Sequence, residues 1–279
     1  MIRLSAFADE ISPDLDEQVA VLHSESIHYI ELRSVWGINV LDLSDEQVTR
    51  VKHTLYEHGI GVSAIASPIG KVSITSSFAA HLQRFERAML LAHIFQTPYI
   101  RLFSFYPPDT TPTEAHNPPA WRDEVLQRLH IMTERARDEK IILLHENEKD
   151  IYGDTIARCV DLLQNTNNEH FLAILDPANF IQCQQTPYPT AYGALRPWLR
   201  YVHVKDALLD GTVVAAGEGA TQWAALLQRL YADGYDGYFS LEPHLTTARQ
   251  FSGFSGQELF RHASQALQRM LQNMGWEYA

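Results

Sequence analysis

The feature that most restricts the fold is a cadence. Short apolar runs recur along the chain at 2–7, 29–33, 61–66, 99–103, 141–146, 171–175, 201–206 and 238–242. Each is too short for a helix and rich in β-branched or aliphatic residues, as buried strands are. Between them lie stretches with helical spacing of apolar residues, as at Leu15, Val19 and Leu22. Helix-start signals mark several of these stretches. Ser12 can cap the first helix with Pro13 in its first turn, and Ser44-Asp45-Glu46-Gln47 reads as a capping box for the second. Strand–helix alternation requires parallel strands with helical crossovers. Eight such units in 279 residues predict a single (β/α)8 TIM-barrel domain spanning 1–279. The rival, an open doubly wound sheet, would carry Gly-x-Gly-x-x-Gly after the first strand, and the chain does not.

Composition narrows the function. A hydrophobic content of 46% supports a substantial core, and a net charge of −12 argues against a broad phosphate-neutralising surface. Nucleic acid is therefore not an expected partner. Cys159 and Cys183 lie far apart without metal-type spacing, which suits a reducing cytoplasm. The N-terminus turns acidic at Asp9-Glu10, too early for a signal peptide, and no apolar run reaches membrane-spanning length. A cytoplasmic protein without a membrane partner is the expectation. A homodimer is an open one.

The chemistry gathers at strand ends. In Ile141-Ile142-Leu143-Leu144-His145-Glu146-Asn147-Glu148, four aliphatic residues run into ligand-type side chains. Glu146 ends the fifth strand, Asp176 the sixth, His203 the seventh and Glu242 the eighth. In a barrel these positions converge on the C-terminal mouth. Each alone also reads as a helix cap or an ion-pair member. Together they form an oxygen-rich set with one imidazole, suited to one divalent ion such as Mn²⁺, Mg²⁺, Co²⁺ or Zn²⁺. Arg101 and Lys205, also at strand ends, can bind a carboxylate, phosphate or sugar oxygen, or else pair with nearby acids. Glu218 in Gly217-Glu218-Gly219 is a candidate to close over substrate, with a plain turn as the alternative, and His244 is placed to line the mouth. His145 should point away from Glu146 and pack. The loop at 107–119 is long enough for a lid, and Phe7, Trp36, Phe103, Phe105, Tyr106 and Phe180 are candidates for an apolar wall or plain core.

The strand-end motifs Glu146-Asn147-Glu148, Leu175-Asp176-Pro177-Ala178-Asn179, His203-Val204-Lys205-Asp206, Gly217-Glu218-Gly219 with Trp223, and Leu241-Glu242-Pro243-His244 resemble the sugar phosphate isomerase/epimerase family. That family belongs to the xylose-isomerase-like barrels, which include the apurinic endonucleases of family 2. The resemblance implies that Glu146, Asp176, His203 and Glu242 hold one divalent metal and that Glu146 and Glu242 form the acid/base pair. It implies removal of a proton α to a carbonyl of a sugar or keto-polyol, with the ion stabilising an enediolate. Two departures bear on this. Asn179 stands where the ketose 3-epimerases place a substrate-contacting His; it can bond a hydroxyl but cannot relay a proton. Arg33, Pro68, Ser104 and Asp210-Gly211-Thr212 replace the extra ligands of the three-metal endonucleases. Isomerisation or epimerisation is the leading expectation. Dehydration of a keto-inositol or dehydroshikimate-type substrate by the same metal and base is the alternative. A non-catalytic sugar-binding barrel and a DNA-repair nuclease are the rivals from other classes.

Overall fold

The computed structural model describes residues 1–108, 120–245 and 255–279. Eight parallel strands close into a barrel: β1 (Arg3–Ala6), β2 (Tyr29–Leu32), β3 (Gly61–Ile65), β4 (Tyr99–Leu102), β5 (Ile142–Glu146), β6 (Phe171–Leu175), β7 (Leu199–Val204) and β8 (Tyr238–Leu241). Strand β8 returns to pair with β1 through Arg3 and Tyr238 up to Ala6 and Leu241. The helices between and after them are α1 (Leu15–Ser24), α2 (Asp45–Glu57), α3 (Phe78–Ile94), α4 (Arg122–Asp138), α5 (Ile156–Thr166), α6 (Pro177–Gln182), α7 (Tyr192–Leu195), α8 (Trp223–Ala232) and α9 (Gly256–Met274). The (β/α)8 barrel expected from the cadence is therefore the fold observed. Among the described residues no helix is long and apolar enough to cross a membrane. The loop expected to act as a lid lies, from residue 109 to 119, outside the described residues.

The period of two along each strand divides the core and aims the site. In β5, Leu143 packs in the layer between strands and helices, while Leu144 packs inside the barrel with Tyr99, Ile174 and Tyr201. Two residues on from Leu144, Glu146 faces inward too. The same step leads from Tyr99 to Arg101, from Ile174 to Asp176, and from Tyr201 to His203 and then Lys205. A barrel filled with apolar layers thus ends in one polar layer at its C-terminal mouth. His145 has the other parity. It is buried outside the barrel, with Nε2 3.0 Å from Ser104 Oγ, and burial holds its pKa down at about 4, so it packs as a neutral imidazole as expected.

Local signals held unevenly. Ser44 forms the full capping box with Gln47 at the start of α2. At α1 the cap is Asp14, which accepts the N–H groups of Asp16 and Glu17; Ser12 instead accepts the N–H of Asp14. A carboxylate two residues on, with more acceptor capacity, wins the cap over the hydroxyl. Residues Ala8–Glu10 form a 3-10 turn that buries Asp9 and Glu10 rather than the solvated first turn of a helix.

Candidate metal centre at the barrel mouth

Glu146, Asp176, His203 and Glu242 are all buried, and one ligand-type atom from each lies within 4.8 Å of the others. His203 Nδ1 is the hub. It sits 3.2 Å from Glu146 Oε1, 3.6 Å from Glu242 Oε2 and 3.8 Å from Asp176 Oδ2. On the far side of the ring, Nε2 lies 3.2 Å from Glu31 Oε2 in a fully buried pair. A carboxylate behind an imidazole fixes its orientation and leaves the other nitrogen to face a ligand.

Each side chain is aimed by local structure. Asp176 caps α6 with Oδ1, which accepts the N–H of Asn179 at 2.9 Å, and Oδ2 is left for the mouth. Asn147 locks the ends of β5 and β6 together: its Nδ2 donates to Asp176 O and its Oδ1 accepts from Asp176 N, both at 2.9 Å. Asn179 Nδ2 donates to Asn147 O at 2.9 Å and to Glu146 Oε1 at 3.3 Å.

Cations ring the acids. Arg101 donates to Glu146 Oε2 at 3.1 Å and lies 3.9 Å from Glu242. Lys205 Nζ is 3.1 Å from Glu242 Oε2 and 2.8 Å from Asp176 Oδ2, the latter too bent for a hydrogen bond. Arg33 bridges Asp9, Glu10 and Glu242 at 2.7, 2.7 and 3.0 Å. His244 links Glu10 and Glu242 at 2.9 and 3.2 Å. Burial alone would raise the carboxyl pKa values, but the neighbours outweigh it. His203 and Arg101 hold Glu146 at about 2, and Lys205 and His244 hold Glu242 well below the usual range. For the imidazoles burial favours the neutral form, yet Glu31 and Glu146 raise His203 well above its ordinary value. Glu242 and Glu10 likewise raise His244, to about 9.

The residues fit a divalent cation on two counts. Asp176 Oδ2 and His203 Nδ1 are buried without a hydrogen-bond partner although they face one another across the cluster. Each has an ion-pair contact, Lys205 at 2.8 Å and Glu146 at 3.2 Å respectively, but its hydrogen-bonding capacity is unused, and a cation would use it. The network also joins six buried carboxyls, Asp9, Glu10, Glu31, Glu146, Asp176 and Glu242, to four groups that stay cationic with His203 neutral as a ligand, namely Arg33, Arg101, Lys205 and His244. Buried charge needs compensation, and a dication supplies that deficit. Ligands about 2.1 Å from one ion lie no more than about 4.2 Å apart, so a bound cation would draw the cluster slightly inward.

Of the residues proposed from sequence, Glu146, Asp176, His203, Glu242, Arg101, Lys205, Asn179 and His244 stand in this one network. Glu218 does not. Its carboxylate turns outward to His262 Nε2 at 2.9 Å, and it is half exposed. The flanking turn is built around Asp206, whose Oδ2 accepts the N–H groups of Gly217 and Gly219 and whose Oδ1 accepts those of Ala207 and Thr221. Phe7 and Phe103 are buried, and each has the Arg101 guanidinium against its ring, at 5.0 and 4.9 Å. Sequence reasoning passed over Arg33, Asp9, Glu10, Glu31 and Asn147 as site residues. Arg33, at the end of β2, and Asn147, within the strand-end motif Glu146-Asn147-Glu148, carried a signal.

A family model described as xylose isomerase-like TIM barrel matches residues 20–270. A curated 3-dehydroshikimate dehydratase from Bacillus anthracis is 21% identical over 175 residues, which is 62% of this chain and 60% of that protein's length. The crystal structure of the probable 3-DHS dehydratase AsbF from Bacillus anthracis superposes with a TM-score of 0.73 at 19% identity, covering 96% of this chain and 99% of the other. A D-tagatose 3-epimerase-like protein superposes with a TM-score of 0.78 at 15% identity, covering 98% of each chain. At such identities the two solved structures establish a shared architecture.

Proposed function

The chain belongs to the xylose isomerase-like TIM-barrel family, and we propose that it is a divalent-metal-dependent isomerase or epimerase of a sugar or sugar phosphate. The observation that carries this reading is the buried cluster of Glu146, Asp176, His203 and Glu242 with ligand atoms within 4.8 Å. These four would hold the ion. When bound, the ion would supply positive charge beside the substrate carbonyl and so acidify the neighbouring C–H.

The chain's own residues do the rest. Glu146 and Glu242 reach the cluster from β5 and from the end of β8, so two carboxylates are available to take a proton and return one. Both are held ionised, and Glu146 at about 2 is a weak base. Its effectiveness must come from alignment, which Arg101 and Asn179 enforce by gripping separate oxygens of that carboxylate. Lys205, Arg101 and His244 are assigned to substrate oxygens and Asn179 to a hydroxyl, an assignment their place in the network supports. Glu218 is left out of the proposal. We propose a cytoplasmic setting, which the unbridged Cys159 and Cys183 support, and a small-molecule substrate with neither nucleic acid nor membrane as partner.

A second reading has a specific observation behind it. The curated relative is named a 3-dehydroshikimate dehydratase, and the same base could remove the α proton of a keto-polyol while a β hydroxyl departs. One experiment tests both. The Mn²⁺-loaded protein is incubated in D₂O with ketoses, ketose phosphates, a keto-inositol and 3-dehydroshikimate. Deuterium uptake without an ultraviolet-absorbing product supports the isomerase or epimerase. An absorbing enone or aromatic product supports the dehydratase. No exchange with any of them, or exchange that survives Glu146→Gln, would count against both.

A further inference from the structure

From the mouth as a whole, and resting on the keto-substrate reading above, we infer that the substrate is anionic and that Lys71 anchors its carboxylate or phosphate. The cations at the mouth are unequal. Arg33 is held by three carboxylates, and Arg101 and Lys205 by two each. Lys71 has one among the described residues, Glu148 Oε2 at 3.0 Å, and its side chain is 32% exposed. Of these four it has the fewest carboxylate partners among the described residues and the most access to solvent.

Its position is fixed by the fold. The 68–71 turn is closed by the Lys71 N–H donating to Pro68 O, and Gly70 N–H donates to His81 Nε2 at 3.0 Å. The segment is sewn to the one after β4 by Phe103 N–H to Ile69 O and Phe105 N–H to Gly70 O. Gly70 lies so close that a Cβ there would sit 2.0 Å from Phe103 O, so only glycine permits the seam. The result is that the Lys71 ammonium stands 4.2 Å from the Phe103 ring centre, while the Arg101 guanidinium lies 4.9 Å from the same centre. Arg101 in turn touches Glu146. One aromatic ring therefore spaces an accessible ammonium from the guanidinium that borders the metal cluster. An ordered ammonium resting on a π face loses little freedom when it donates a hydrogen bond to an anion's oxygen. Glu148 can release it without being stranded, because its Oε1 already accepts the N–H of Lys149 at 2.9 Å.

The test compares wild type, Lys71→Met and Lys71→Arg, loaded with Mn²⁺, against a free ketohexose, the same ketohexose 6-phosphate and 3-dehydroshikimate. Steady-state kinetics are run beside calorimetric binding, so that affinity is read whether or not turnover occurs. Lys71→Met should raise KM and Kd for one of the two anionic compounds by about 10- to 100-fold while changing kcat little. Lys71→Arg should recover most of that loss, and the neutral ketohexose should bind equally to all three proteins. The anionic compound that responds identifies the group. Equal losses for neutral and anionic compounds, no loss for either anion, or no binding of either anion overturns the anchor. Lys71-dependent binding without proton exchange leaves the anchor standing and removes the enolisation reading. Exchange on the neutral ketohexose that ignores Lys71, with no anion effect, does the reverse.

Discussion

Glu31 sets which nitrogen of His203 faces the carboxylates, and it does so from 172 positions away in the chain. The sequence shows it only as an acid in an apolar strand, because a partnership across the barrel leaves no local mark. Glu31→Gln should weaken Mn²⁺ or Zn²⁺ binding by roughly 10- to 100-fold in a calorimetric titration. Unchanged affinity would mean the pair only packs. Asp9 and Glu10 escaped notice for a similar reason. Acids ahead of a helix look like first-turn residues, and only the closed barrel reveals that they bury themselves against Arg33. His81 makes a prediction about stability. Burial, helped by Arg128 and Arg84, lowers its pKa from 6.5 to about 4, and Nε2 accepts the Gly70 N–H. The unfolded chain takes up a proton there near pH 6.5 and the folded chain does not. Stability is therefore complete above that pH and falls as pH drops from 6.5 toward about 4, by roughly 3 kcal/mol. Urea melts of wild type and His81→Gln across this range should show a shallower acid slope for the variant. Identical slopes would assign the acid loss to other groups.

At the scale of elements, strands and long helices were legible because period-two and period-3.6 patterns are local. So were the positions of Glu146, Asp176, His203 and Glu242, since parity along a strand fixes which residues share the mouth. What was not legible was made by side chains folding back on the main chain. The Gly217-Glu218-Gly219 segment read equally as a substrate cover or a plain turn; it is a turn, and the Asp206 carboxylate it winds around left no local mark. A Cβ on Gly219 would lie 2.4 Å from Asp206 Oδ1 and 2.5 Å from Ala207 O. Gly219→Ala should therefore cost about 2–4 kcal/mol in denaturant melts. Glu218→Ala should change neither stability by more than about 0.5 kcal/mol nor turnover appreciably. A large loss of activity in Glu218→Ala would restore that residue to the site.

For the molecule as a whole, the mouth is a buried surplus of negative charge within a chain already at −12. Removing the cation should leave the carboxylates leaning on Arg33, Arg101, Lys205 and the two imidazoles of His203 and His244. Thermal unfolding should respond to metal accordingly. At 100 times its dissociation constant an ion that binds only the folded state adds about 2.7 kcal/mol, which is roughly 5 °C for a domain of this size. EDTA should reverse the gain. The most direct measurement is the anomalous scattering of a crystal grown with Zn²⁺. A single peak about 2.0–2.2 Å from Glu146, Asp176, His203 and Glu242 is the predicted result. Ordered mouth side chains with no peak among them at saturating Zn²⁺ would contradict it.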